Sequence, residues 1–254
     1  MLFAITRQVS RSIGNCELTF VTRTPIDVDR ARRQHEKYEA ALKQLGLAVL
    51  SLPEAPDLPD SVFVEDTALV LEECAILMHC AATSRAPEIE LMSSVLQPYR
   101  QILRLEPPAH MDGGDLLKIG HTVYAGVSRR TEPAAVEQLG TMLKPLGYEV
   151  RAVPVTDCLH LKSAVTQVAE DTLLINPQWV SSRVFGDVKT VETDASEPYA
   201  ANGLLVGGSV LYSTEFPKTG ARLTAAGIRT VQVEADELAK AEGAVTCCSL
   251  IFSV

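Results

Sequence analysis

The sequence contains no run of about 18 apolar residues, the length at which a segment reads as a membrane span. Behind Met1-Leu2-Phe3-Ala4-Ile5-Thr6-Arg7 there is no long apolar stretch of the kind that marks a secretion signal, so a cytoplasmic protein is expected. An excess of positive charge is missing too: 23 Lys and Arg stand against 32 Asp and Glu, a formal net charge of -9. That balance repels nucleic acid and anionic membrane, and suits a small cationic substrate if the acids line a cleft. No Cys-x-x-Cys pair occurs among Cys16, Cys74, Cys80, Cys158, Cys247 and Cys248. An intracellular chain keeps such thiols reduced, so no disulfide framework is expected. Adjacent Cys247 and Cys248 make a poor zinc site, because neighbouring residues seldom aim both sulfurs at one ion. Nor does any linker interrupt the 254 residues, which read as one domain spanning 1–254.

What is present is a repeated plan. Apolar residues make up 46% of the chain, enough for a sizeable core, and they are arranged as helix-like segment, Gly, then apolar strand. The first helix-like segment runs from Asp27, a side chain suited to capping a helix start, to Leu45. Gly46 then ends it in a left-handed turn, and Leu47–Pro53 follows as a strand. Glu132–Leu146, Gly147 and Tyr148–Pro154 repeat the plan, and Ala226-Gly227 followed by Ile228–Val233 repeats its end. Strand–turn–strand units are expected at Thr67–Met78, Asp115–Ala125, Ala164–Ile175 and Gly203–Tyr212, the last turning at Gly207-Gly208. A final strand, Ser249–Phe252, could pair with Leu2–Thr6 and close a ring. The stretch Ser181–Glu197 has the weakest pattern and reads as a long loop or irregular helix.

The residues just before these hairpins and the final strand are Asp66, Asp112, His160, Asn202 and Cys247, at spacings of 46, 48, 42 and 45 residues. A period of this size implies a radial array of α/β units, each burying its face against its neighbours. Equivalent positions then converge near the axis, where one polar residue per unit could meet in a central pocket. A doubly wound α/β sheet is the competing architecture, and the hairpins count against it.

Four segments carry the chemistry. Asp60–Asp66 packs three acids around an apolar centre, and strand alternation would put Phe63 and Glu65 on one face with Asp66 on the other. In Met111-Asp112-Gly113-Gly114-Asp115, paired glycines allow a sharp turn and close approach to a ligand, with two acids that either hold a cation or cap the turn. Leu159-His160-Leu161-Lys162 sets a His between leucines, either a satisfied core residue or a proton-transfer group near neutrality. Val245-Thr246-Cys247-Cys248 supplies a cysteine that is inert filler in a core. Facing His160, it becomes a nucleophile whose thiolate is favoured by an imidazolium or a cationic substrate.

Taken together, Asp60–Asp66, Met111–Asp115, Leu159–Ser163, Tyr199–Asn202 and Val245–Ser249 resemble the dimethylarginine dimethylaminohydrolases of the guanidino-modifying (pentein) superfamily. The resemblance covers essentially the whole chain and keeps the motifs in family order. It implies a five-bladed α/β propeller of ββαβ-type repeats around a central pocket. It also implies roles: Cys247 as nucleophile, His160 as general acid and base, and Asp112 as the carboxylate that orients His160 and meets the guanidinium. Asp66 would be a second guanidinium-binding acid. Arg85 and Arg130 would pair with the substrate α-carboxylate, with Asp60 near its α-amino group. Leu18 would sit on a mobile lid, Phe63 and Glu65 would line the pocket, and Ala241 would give at most a backbone contact. By analogy alone, a homodimer is expected.

The implied reaction needs no metal and no organic cofactor, because the cysteine supplies the covalent step. In relatives acting on unmethylated arginine or agmatine, an Asp usually stands two residues after the His; here that residue is Lys162. Fewer acceptors suit a guanidinium whose terminal nitrogen carries methyl groups, so methylated arginine is the expected substrate and arginine the alternative. A ligand-binding propeller without turnover is the third reading, against which Cys247 and His160 both stand.

Overall fold

The computed structural model describes all 254 residues. Strand β1 (Leu2–Arg7) runs parallel to β2 (Ala48–Leu52), and helix α1 (Val28–Gln44) makes the crossover that parallel strands require. A hairpin of β3 (Ala68–Val70) and β4 (Cys74–Leu77) follows, then α2 (Ala86–Leu96), and β5 (Gln101–Arg104) returns parallel to β4. The same plan recurs in β6 (Leu116–Ile119), β7 (Thr122–Val127), α3 (Pro133–Leu143) and β8 (Glu149–Pro154). After the single turn α4 (Leu161–Ala164), the next sheet is β9 (Val165–Ala169), β10 (Thr172–Ile175) and β11 (Lys189–Glu192). The fourth repeat is β12 (Gly203–Val206), β13 (Ser209–Ser213), α5 (Pro217–Ala225) and β14 (Thr230–Val233). Past α6 (Asp236–Ala239), β15 (Leu250–Ser253) pairs antiparallel with β1, Leu2 opposite Ser253.

The first and last strands therefore share a sheet, and the chain forms five three-stranded mixed sheets, an α/β propeller. The radial array is the arrangement expected from the hairpin spacing, the ββαβ-type repeat is the one the resemblance implies, and the final strand closes the ring on β1 as expected. The opening strand of each hairpin lies innermost: β9 touches β6 and β12, and β15 touches β3. Residues of β3, β6, β12 and β15 enclose an axial cavity of about 400 Å3.

Local chemistry accounts for the repeat. The Asp27 side chain accepts the Arg30 N–H at 2.9 Å and caps α1. Gly46, Gly147 and Gly227 follow helical segments at φ of +90°, +81° and +79°, where a side chain would be strained. Hydrophobic clusters fill the spaces between units: Tyr38 and Leu42 of α1 pack with Leu211, Val233 and Cys248, joining the fourth repeat to the closing sheet. No helix is long and apolar enough to cross a membrane.

Two elements differ from the sequence expectation. Ser181–Glu197 is not a bare loop: a 3-10 turn at Ser182–Phe185 leads into β11, with Leu174 opposite Val191. This repeat has no long helix, so its edge strand lacks the preceding helix signal. Val64–Thr67 is a 3-10 turn rather than an extended segment, and this reorders the acids of the first motif.

Candidate active site

The loops preceding the inner strands converge and bring Asp66, His160 and Cys247 to one cavity. His160 is extended and caps α4, and Ser163 closes a capping box with it. Its Nε2 lies 3.2 Å from Asp112 Oδ2, and its Nδ1 lies 3.8 Å from Asp66 Oδ1. Both acids are buried. Burial alone would lower the imidazole pKa. The negative charge of Asp66, the hydrogen bond to Asp112 and the charge of Asp115 overcome it, and the pKa rises to about 9. At neutral pH His160 is therefore an imidazolium, charged and able to give a proton.

Glycine is required in the second motif for steric reasons. A Cβ on Gly114 would stand 2.5 Å from His160 Nδ1 and 2.7 Å from Asp66 Oδ1, and one on Gly113 would meet the Glu65 carbonyl oxygen at 2.1 Å. With no side chain in the way, the Gly114 N–H donates to Asp66 Oδ1 at 3.1 Å. The acids flanking the glycines therefore do different things: Asp112 faces His160, while Asp115 turns inward. The ligating atoms of Asp66, Asp112 and His160 lie within 4.8 Å of one another, but Asp66 is committed to Arg85 and Asp112 to His160.

Cys247, His160, Asp66, Arg85, Arg130 and Asp60 line one small cavity of about 20 Å3, together with Phe63 and Ala241. The 3-10 turn explains why Phe63 and Asp66 share it, since residues three apart eclipse in that geometry. Glu65 points the other way. It lines the axial cavity, accepts Lys162 Nζ at 2.6 Å and Thr246 Oγ1 at 2.8 Å, and so does not face the small cavity. Leu18 is not in the cavity wall either; it packs against the apolar cluster under α1. Asn202 holds the nucleophile's loop from below, accepting Thr246 N–H at 3.1 Å and donating to Lys162 O at 3.1 Å.

Arg85 is buried and almost fully engaged, donating to Asp66 Oδ2 at 2.6 Å, to Glu88 and to the Phe63 carbonyl. Burial would raise the Asp66 pKa, but the charges of His160 and Arg85 hold it below the ordinary carboxylate range. Arg130 reaches Thr19 Oγ1 at 3.1 Å and sits 3.8 Å from Asp112. Cys247 is half-buried, and its thiol pKa is pushed far up by burial and by the charges of Glu65 and Asp66.

Sequence reasoning missed Leu159, Glu17, Gly243 and Glu242, all in the cavity wall. Glu242 has φ of +58°, and its carboxylate accepts the backbone N–H groups of Thr19, Phe20 and Val21. Nothing local marks it, because its partners lie more than 220 residues away in the chain.

A half-buried cysteine, an imidazolium on a carboxylate, and acids and arginines around one small cavity on a five-sheet ring define a guanidino-modifying propeller. In agreement, residues 53–202 match the family described as "Arginine deiminase". The N(G),N(G)-dimethylarginine dimethylaminohydrolase of Streptomyces coelicolor is 36% identical over 250 residues, covering 97% of this chain and 95% of that protein. That of Pseudomonas aeruginosa is 32% identical over 228 residues, covering 89% of this chain and 90% of the relative. A solved structure of the Pseudomonas enzyme, a Cys-to-Ser mutant complexed with citrulline, superposes with a TM-score of 0.94 at 31% identity, covering 98% of each chain. The chain belongs to the dimethylarginine dimethylaminohydrolase family.

Proposed function

We propose that the protein hydrolyses N-omega-methylated arginines, asymmetric dimethylarginine and monomethylarginine, to citrulline and an alkylamine, as one catalytic domain over residues 1–254. The observation that carries this reading is the shared cavity: Cys247 opens onto the same space as Asp66 and as His160 paired with Asp112. Asp112 Oδ1 is buried with no hydrogen-bond partner, an acceptor that a guanidinium N–H would satisfy. Arg130 is the arginine with donors to spare for the α-carboxylate. Arg85 acts mainly by fixing Asp66.

The chemistry follows from the charges. A guanidinium is a poor electrophile because its cation is delocalised, and fixing its plane between two carboxylates offsets part of the barrier. The same cation lowers the pKa of the Cys247 thiol, which releases its proton to solvent as the substrate binds, so substrate and nucleophile activate each other. Cys247 Sγ forms a bond to the guanidinium carbon. The C–N bond to the methylated nitrogen then breaks as His160 delivers its proton to that nitrogen, leaving a thiouronium and a neutral amine. His160, now neutral, takes a proton from water, the oxygen attacks the same carbon, and the C–S bond breaks as the remaining hydroxyl proton passes to the departing sulfur, giving citrulline and the Cys247 thiol. Proton transfer of this kind contributes roughly 100- to 10,000-fold. A cytoplasmic location accords with the six free cysteines.

Lys162 favours the methylated substrates. Its ammonium is spent on Glu65 outside the cavity, so the position two after His160 offers no acceptor to an unmethylated terminal nitrogen. One or two desolvated methyl groups are worth about 1–2 kcal/mol, or roughly 5- to 30-fold. Citrulline release from asymmetric dimethylarginine, monomethylarginine and arginine, measured in parallel, is expected to show that preference in kcat/KM. A kcat/KM higher for arginine would move the protein to arginine deimination, and no citrulline from any of them would reject the reading.

A further inference from the structure

Asp115 closes the Met111–Asp115 motif and has no place in the mechanism above, yet it is fully buried and carries no arginine or lysine partner. Its carboxylate is instead filled by three donors. Oδ1 accepts the Leu161 backbone N–H at 2.8 Å, the residue after His160. Oδ2 accepts Ser128 Oγ at 2.7 Å and Thr131 Oγ1 at 2.6 Å. Each hydroxyl then accepts in turn: Ser128 Oγ from the Arg130 N–H at 3.0 Å, Thr131 Oγ1 from the Asp112 N–H at 3.3 Å. The room for this junction is kept by Gly126, where a Cβ would stand 2.5 Å from Asp115 Oδ1 and 2.9 Å from Leu161 Cβ.

We infer that Asp115 is a positioning residue for the reaction, one buried carboxylate that sets the loops of His160, Asp112 and Arg130 in register with one another. The three loops come from two repeats, and Asp115 bonds directly to the backbone after His160 and, through the two hydroxyls, to the backbone of Asp112 and Arg130. Both hydroxyls are used twice, as donors to Asp115 and as acceptors from backbone, so displacement of the carboxylate propagates to Arg130 and Asp112 together. Errors near 1 Å in such groups cost about 100-fold in rate. The negative charge also faces the His160 ring. The other groups around that ring are Asp66 and Asp112, which Arg85 and Arg130 balance, the Cys247 thiol across the cavity, and the Cys158 thiol against the His160 carbonyl.

The assignment of Arg130 to the substrate rests on the function proposed above, so the test has readouts with and without turnover. Asp115→Asn keeps an oxygen for Leu161 and an amide that can donate to either hydroxyl, but removes the charge. In the unliganded protein, an NMR titration is expected to give a His160 imidazole pKa lower in Asp115→Asn than in the parent. In turnover, kcat is expected to fall about 10- to 100-fold, with the alkaline limb of the pH profile displaced toward lower pH. Thr131→Val and Ser128→Ala each cut one arm: the first is expected to lower kcat at nearly unchanged KM, the second to raise KM at nearly unchanged kcat. A folded Asp115→Asn protein with parental titration and kinetics would overturn the inference. So would Thr131→Val and Ser128→Ala variants that behave like the parent, even if Asp115→Asn fails to fold. An inactive parent would sink the proposed function instead, while the titration would still decide the role of Asp115.

Discussion

Replacing Cys247 with serine is expected to abolish citrulline release from dimethylarginine, lowering kcat by about 10,000-fold or more, while substrate binding survives. The size of the effect comes from the sulfur's position in both halves of the reaction. It forms the bond that lets the amine leave, and it is the leaving group when water attacks. A serine hydroxyl is far harder to ionise than a thiol, and this site already opposes ionisation: Glu65 and Asp66 add negative charge to a group that burial keeps neutral. A cationic substrate can compensate for a thiol under those conditions but not for an alcohol. Binding should persist because Asp66, held by Arg85, and Arg130 do not depend on the sulfur. Calorimetry with dimethylarginine separates the two quantities. Residual turnover within tenfold of the parent would remove Cys247 from the mechanism.

Gly114→Ala is expected to lower kcat by about 100-fold without touching any group that reacts. The added methyl would lie 2.5 Å from His160 Nδ1, 2.7 Å from Asp66 Oδ1 and 2.9 Å from His160 Cγ, so the ring and the carboxylate must both move. Neither has slack: His160 is tied to Asp112, and Asp66 to Arg85 at 2.6 Å. Overpacking of this kind also costs about 1–3 kcal/mol of stability, so the rate is to be compared well below the melting temperature. Gly140→Ala is the control. That glycine is within α3, and its Cβ would meet only Val150 at 3.7 Å, so parental activity and a slight gain in stability are expected. If Gly114→Ala turned over like the parent, the close packing of Gly114 on His160 would have no catalytic weight.

The fold was legible where its repeats carry punctuation. Three helix ends announce themselves through Gly46, Gly147 and Gly227, each left-handed, and the Gly207-Gly208 turn marks the fourth hairpin. The other helix-to-strand connections were not legible for opposite reasons. Helix α2 runs through Gln97 into a turn with no glycine before β5. Ser181–Glu197 has no long helix at all, so β11 stood without its usual herald.

At the site, order and spacing brought out Asp66, Asp112, His160 and Cys247, because equivalent residues of a ring must meet. Asn202, the remaining member of that series, lies below Cys247 and fixes its loop through Thr246. The direction of each side chain was less accessible. Strand alternation put Glu65 with Phe63, whereas the 3-10 turn puts Phe63 with Asp66 and sends Glu65 to Lys162. The roles of the carboxylates that organise other residues were not legible. Asp115 works through backbone N–H groups and hydroxyls with no charge partner, and Glu242 through three amides at the far end of the sequence.

The proposed mechanism turns on a covalent bond between Cys247 and the guanidinium carbon of a methylated arginine. It is tested most directly by acid-quenching the protein during turnover of dimethylarginine and mapping the adduct by peptide mass spectrometry. A thiouronium on Cys247 is expected, with Cys248 unmodified and no adduct in Cys247→Ser. Steady citrulline production with no adduct on Cys247 at any quench time, or with the adduct on another residue, would contradict it.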